Sequence, residues 1–226
     1  SEPSIFEKND MVKHGLFFGE TLQNQYADQY KGMVSKAVED IRTDQYQKII
    51  LSRKIYLDDR LNMMESYLVG REKNTPARSY CLQLDDLEVI GFSPETVVEV
   101  DTHRKVFTFP LAGTRAMGET EAQQVALKGE LLTDPKEIAE HAVSVRLAYE
   151  ELEQVCKEDT VSVIRFMDIL ERGTVQHLAS RLQGSINDDV NEWHAFNALF
   201  PAVTASGIPK RESLQAIYEI EEEPIS

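Results

Sequence analysis

Cysteine is nearly absent from this chain of 226 residues. Cys81 and Cys156 form neither a CxxC pair nor a disulfide framework, which suits a reducing cytoplasm and makes both packing residues before nucleophiles. Positive charge is also short: 24 Lys and Arg stand against 39 Asp and Glu, a formal net charge of -15. That balance disfavours nonspecific attraction to nucleic acid or to an anionic membrane, and an anionic substrate would need local cations. No apolar run is long enough to span a bilayer, and the N-terminus carries no signal-peptide pattern. The five histidines show no HExxH or similar spacing, which argues against zinc and leaves carboxylate-bound magnesium as the better metal expectation. Internal repeats, low-complexity tracts and Gly- or Ser-rich linkers are missing as well. What remains is a globular composition, 42% hydrophobic and 28% charged, long enough for one large domain or two small ones.

Periodicity supplies the elements. Tyr26 to about Asp44 reads as a helix, with Tyr30, Met33, Val34, Ala37, Val38 and Ile41 at helical spacing. Tyr46 to Leu57 reads as a strand whose alternation places Lys48 between apolar neighbours on one sheet face. A helix is expected over Leu61–Gly70, a turn at Asn74–Pro76, and short strands at 78–84, 88–92, 96–100 and 105–109. Helices follow over 120–132 and 135–156, strands near 161–166 and 174–182, and helices over 191–199 and 211–218. Gly15–Gly19 reads as a short strand and Glu219–Pro224 as an exposed acidic tail. This grouping predicts an α+β fold, helices packed on large, mostly antiparallel sheets.

The longest helix announces its own start. Asp134 suits the N-cap, Pro135 the first helical position, and Glu137 the third. Ile138, Ala142, Val145, Tyr149, Leu152 and Cys156 then draw an apolar stripe. Beside it Glu137, Glu140, His141 and Ser144 form a polar face at the N-terminal end, with two carboxylates suited to a hard metal. Taken alone, Glu137 reads equally as a capping partner, and Glu140, His141 and Ser144 as a solvated edge.

Several segments carry a family resemblance. They are Lys48-Ile49-Ile50-Leu51-Ser52-Arg53, Gly91-Phe92-Ser93-Pro94-Glu95, Pro110-Leu111-Ala112-Gly113-Thr114-Arg115, the Lys136–His141 helix start, and Arg172-Gly173-Thr174-Val175-Gln176-His177-Leu178. Each is weak alone, but in this order and spacing they resemble the chorismate-utilising enzymes, which include anthranilate, aminodeoxychorismate, isochorismate and salicylate synthases. Asn74–Ser79 and Phe200–Lys210 look most like the salicylate synthase branch. The resemblance runs from about Tyr30 to Pro224.

The resemblance implies a chemistry. Salicylate synthases add water at ring carbon 2 of chorismate as the carbon 4 hydroxyl leaves, and then eliminate pyruvate from isochorismate, commonly for siderophore biosynthesis. Lys48 matches the base that activates water, where the amine-transferring members usually carry glutamine. Burial on its sheet face would lower its pKa. Glu95 matches the general acid and must be neutral to donate, so a raised pKa is expected. Gly113 and Thr114 match a substrate-contacting turn, Thr204 a second substrate contact, and His177 a histidine close to the substrate carboxylate. Glu140 matches a Mg2+ ligand, with Glu137 binding through water. Without the motifs, the two threonines read as turn caps, Glu95 as a surface residue and His177 as a core histidine.

The match also breaks. The family continues beyond Glu223-Pro224 through an Arg-Gly-x-Tyr-x-Gly segment, further strands and a closing acidic helix, so the expected fold is the chorismate-binding fold with its C-terminal part missing. Residues 1–25 are read as a remnant of the N-terminal segment and 26–226 as an incomplete catalytic domain. The leading expectation is a monomeric, cytoplasmic, Mg-dependent salicylate synthase acting on chorismate, with no nucleic acid or membrane partner. The alternatives are an isochorismate synthase that stops after the first step, anthranilate or aminodeoxychorismate synthesis ranked lower because of Lys48, and a noncatalytic ligand- or partner-binding fragment.

Overall fold

The computed structural model describes residues 24, 26–57 and 61–221. The strand expected at Gly15–Gly19 and the end of the acidic tail lie outside the described residues. The chain divides into two compact units, Ser1–Arg60 with Gly207–Ser226, and Leu61–Ser206. Among the described residues, no helix is long and apolar enough to cross a membrane.

The first unit holds α1 (Ala27–Arg42), β1 (Lys48–Ile49), β9 (Gly207–Ile208) and α6 (Lys210–Ile220). Helix α1 lies where the apolar spacing predicts, but of that stripe only Ala37 is buried, while Val34 and Val38 are exposed. β1 and β9 pair antiparallel, Lys48 opposite Ile208 and Ile49 opposite Gly207. The strand expected over 46–57 is therefore confined to two residues. A strand extends only as far as its partner, and Pro209, without an N–H, ends β9 at the start of α6. Beyond Ile50 the backbone groups find side chains instead: Tyr30 Oη donates to Leu51 O at 3.3 Å, and Ser52 N–H donates to Glu221 Oε1 at 2.6 Å. Gly207, at φ +145°, is required at the ladder, since a Cβ there would stand 2.2 Å from Lys48 O.

The second unit is built on a five-stranded sheet. Its strands are β4 (Glu99–Val100), β5 (Lys105–Thr108), β6 (Leu111–Ala116), β7 (Ser162–Arg172) and β8 (Val175–Ser185). β8 is central: β7 pairs along one edge, while β5 and then β6 pair in succession along the other, with β4 outside β5. A separate hairpin joins β2 (Arg78–Leu84) to β3 (Leu87–Ser93) through a turn in which Asp85 has φ 48°. Helix α2 (Met63–Lys73), capped by the Asn62 side chain, packs on it, with Tyr67 stacked on Phe92. Every ladder among the described residues is antiparallel, and the α+β class stands.

Helices α3 (Glu121–Thr133) and α4 (Pro135–Glu153) start where their caps direct. Thr120 and Gln123 form a capping box for α3, and Asp134 Oδ1 accepts from the N–H groups of Lys136 and Glu137 for α4. α4 ends three residues before the expected Cys156, which instead bridges Ile186. On β8, Gln176, Leu178, Ser180 and Leu182 alternate onto one face that is almost completely buried. Val145, Ala148 and Leu152 of α4, together with Leu199 of α5 (Glu192–Leu199), join Leu182 in the core. β6 was not expected as a strand; its glycine and its bulge hide the alternation.

Leu182 is fully buried at the centre of this core. Leu182→Ala is expected to cost about 2–5 kcal/mol in urea-melt stability, while Val125→Ala, at an exposed position, should stay within about 0.5 kcal/mol.

Candidate functional site

The opening of α4 gathers charge. Arg115 on β6 donates to Asp134 Oδ2 at 2.6 Å and to Glu137 Oε1 at 3.4 Å, and lies 3.9 Å from Glu130. The Glu137 N–H, then that of Lys136 and the Arg115 guanidinium, hold the Asp134 carboxyl below its ordinary range. Glu137 is largely covered, its side chain 13% exposed, whereas the Glu140 side chain is 38% exposed and 3.8 Å from Lys136 Nζ. The expected polar face of four residues is divided. His141 and Ser144 are buried and extend the stripe of Val145, Ala148 and Leu152. His141 can be buried because both ring nitrogens are bonded, Nδ1 to Ala112 O at 3.1 Å and Nε2 to Ser180 Oγ at 2.7 Å.

Next to this helix, β6 is bulged. Leu111 pairs with Ala179 and Thr114 with His177, so Ala112 and Gly113 together oppose Leu178. The expected turn at Gly113–Thr114 is thus a bulge within a strand. Gly113 takes φ +88°, and a Cβ there would stand 3.2 Å from both Cβ and Oε2 of Glu137. The glycine lets the Glu137 carboxylate lie against the strand backbone. Thr114 Oγ1 and His177 Nδ1 share a hydrogen bond of 2.9 Å. Burial, then the Arg172 charge, lowers the His177 pKa and favours the neutral ring. His177 Nε2 is buried and, among the described residues, has no hydrogen-bond partner. A ligand group could meet that atom.

Glu95 follows β3 in a segment fixed from two sides. Ser93 Oγ donates to Glu95 O at 2.7 Å, and Arg172 Nε donates to Pro94 O at 3.0 Å. Val97, Pro110, Ala148, Leu199 and Val203 line the same small cavity as the Glu95 side chain. Burial raises the carboxyl pKa from 4.5 to about 7, opposed by hydrogen bonds from Thr204 Oγ1 and the Leu111 N–H. Thr204, expected to contact substrate, donates its only hydroxyl proton to Glu95 Oε2 at 3.0 Å, leaving its lone pairs for a ligand. Lys48 belongs to the first unit; it is half-buried, and its carbonyl accepts from Ser213 Oγ at 2.8 Å.

Glu95 and Thr204 are therefore paired, as are Thr114 and His177, and Gly113 touches Glu137. Arg115, Arg172 and Ser180 were not singled out from the sequence, although the first two lie within motifs noted there. Among the described residues, no group of three or more His, Cys, Asp or Glu is disposed to hold a metal. Glu137 and Glu140 supply hard oxygen donors at one helix end, and Arg115 already offsets the charge of Glu137, which fits an outer role for it better than direct ligation.

The sequence profile of the chorismate binding enzymes matches residues 12–224. A salicylate synthase of Mycolicibacterium paratuberculosis is 40% identical over 195 residues, covering 86% of this chain and 43% of that protein. The crystal structure of anthranilate synthase component I from Streptococcus pneumoniae superimposes with a TM-score of 0.79 at 30% identity, over 87% of this chain and 43% of that one. A putative 2,3-dihydroxybenzoate-specific isochorismate synthase from Bacillus anthracis gives a TM-score of 0.72 at 26% identity, over 87% and 54% of the two chains. The chain thus spans about half the length of the proteins it matches.

Thr204→Val removes a bond that favours the ionised form of Glu95, so the Glu95 pKa, followed by carboxyl carbon NMR, is expected to rise above about 7; Thr204→Ser should leave it in place, and a Val variant with no rise would break the link. A second consequence concerns stability. The native carboxyl holds its proton up to about 7 and the unfolded one only to 4.5, so the Glu95 contribution is fully present below 4.5 and is lost as pH rises to 7. Over that window wild type should lose about 3 kcal/mol relative to Glu95→Gln in denaturant titrations.

Proposed function

The chain belongs to the family of chorismate binding enzymes, and from that premise we propose that it converts chorismate to salicylate and pyruvate by way of isochorismate. The observation that carries this reading is Glu95, a half-buried carboxyl whose pKa is raised by desolvation to about 7 and which can therefore hold a proton for a departing hydroxyl. In the first step water adds at ring carbon 2, the carbon 4 hydroxyl leaves with the Glu95 proton, and Lys48 takes the proton released by the water. The second step breaks the bond between the ring and the pyruvyl ether oxygen as a ring hydrogen transfers to the pyruvyl carbon, giving salicylate and pyruvate. It needs substrate shape and charge, and no further acid or base is assigned to it.

Lysine at position 48 supports water over ammonia as the nucleophile, and the resemblance of Phe200–Lys210 to the salicylate synthase branch supports the second step. Neutral His177, oriented by Thr114, offers its buried Nε2 to a substrate oxygen. Gly113 and Thr114 fix the ring by close backbone approach and a hydroxyl contact. Glu140, with Glu137 behind it, would hold Mg2+, which when bound neutralises the substrate ring carboxylate. An isochorismate synthase is the second reading, favoured by the likeness to the Bacillus anthracis structure and equally consistent with Lys48.

Purified protein incubated with chorismate and magnesium should yield equal amounts of salicylate and pyruvate, separated by chromatography and assayed enzymatically. Isochorismate without pyruvate would move the assignment to the one-step reaction, anthranilate formed with ammonium would overturn it, and a folded chain without turnover would point either to a requirement for the C-terminal part of the family domain or to ligand binding alone. Lys48→Gln should lower hydration at least about 100-fold, within the range for loss of a general base.

A further inference from the structure

We propose that His141 is the positioning residue of the Gly113–Thr114 segment, holding the bulges of β6 and β7 in register with the helix that carries Glu137 and Glu140. The proposal rests on the chorismate reading only in treating Gly113 and Thr114 as substrate contacts.

Two of the three strands paired with β8 are irregular near each other, β6 opposite Leu178 and β7 opposite Ser180. β6 shifts register between Leu111 and Thr114. β7 shifts between Arg165 and Asp168, with Met167 in the left-handed region at φ 55°. A bulge takes backbone groups out of the ladder, and buried groups of that kind need other partners. Here one relay serves both strands. Met167 N–H donates to Ser180 Oγ at 3.0 Å, the Ser180 hydroxyl donates to His141 Nε2 at 2.7 Å, and His141 Nδ1–H donates to Ala112 O at 3.1 Å. An amide can only donate and a carbonyl only accept, so the two ends fix the direction of every bond and the tautomer of the ring.

Placement gives the relay its purpose. His141 is 0% exposed and Ser180 2%, so water does not compete for these bonds. Ala112 directly precedes Gly113, whose backbone lies against the Glu137 carboxylate, and Thr114 follows with its hydroxyl on His177. His141 sits beside Glu140 and one turn from Glu137 on α4. Fixing the Ala112 carbonyl therefore fixes both the proposed substrate contacts and their spacing from the two carboxylates.

The test compares His141→Leu, which removes both bonds, with His141→Asn, whose side-chain amide can still donate to Ala112 O. The readouts are chorismate kinetics in saturating magnesium and amide hydrogen exchange on the whole chain. Leu is expected to raise KM at least about tenfold with kcat within about threefold, and Asn to restore KM to within about threefold of wild type. The Gly113 and Met167 amides should exchange at least about tenfold faster in the Leu variant, while Ile90 in the β2–β3 hairpin stays unchanged. Failure of Asn to rescue, or a loss confined to kcat, would overturn the proposal. If wild type does not turn chorismate over, the exchange data alone decide: unchanged Gly113 and Met167 exchange in the Leu variant refutes the relay. Should the Leu variant not fold, Ser180→Ala interrupts the relay at its middle and must speed exchange at Met167.

Discussion

Both edges of β8 are hydrogen-bonded, and one of its faces is almost completely buried; on that double constraint the second unit depends. With β7 on one side and β5 followed by β6 on the other, the strand cannot slip by one residue without turning Leu178 and Leu182 out of the core. The same register sets His177 on the opposite face, in line with Thr114. Fold stability and the Thr114–His177 pairing are thus set by one alternation. The bulges then adjust it locally, moving backbone groups out of the ladder where side chains from other elements take them.

Burial and charge divide the polar groups of this unit into two kinds. Around Glu95 apolar side chains desolvate a carboxyl, and only Thr204 and the Leu111 N–H support its ionised form, so the proton is held to higher pH. At the opening of α4 the opposite holds: Arg115 lies within ion-pair distance of three carboxylates, and helix amides stabilise the charge of Asp134. One short sequence, Leu111 to Arg115, serves both places, its first residue giving an amide to Glu95 and its last a guanidinium to Asp134. A carboxyl that keeps its proton to higher pH and a fixed anionic cluster are kept distinct by local surroundings rather than by residue type.

How much of this was legible depended on whether the deciding partner was near in sequence. The start of α4 could be read outright, because Asp134, Pro135 and Glu137 cap it locally. The ordered motifs pointed to the chorismate-utilising family, and the family profile covers almost the same stretch. The alternation over 46–57 was real but silent on where β9 ends, so the strand shrank to Lys48–Ile49. β6 escaped notice because its bulge breaks the period of two. His141 and Ser144 were read as an exposed polar edge, since spacing cannot reveal a carbonyl on β6 or a hydroxyl on β8. The Thr204–Glu95 bond joins residues 109 positions apart, beyond the reach of any local pattern.

The two-residue ladder that holds Lys48 has an implication for biogenesis. Its partner Ile208 and the clamping Ser213, 165 positions from Lys48, are made long after Lys48 leaves the ribosome, whereas the stretch from Leu61 to Ser206 emerges as one uninterrupted piece. Among the described residues the Lys48 backbone pairs only with the Gly207–Ile208 strand, and closing so long a loop carries an entropic cost that a two-residue pairing alone does little to offset. The Lys48 backbone therefore waits for Gly207 and Ile208, and a nascent polypeptide can complete the Glu95–Thr204 pair before the Lys48–Ile208 one.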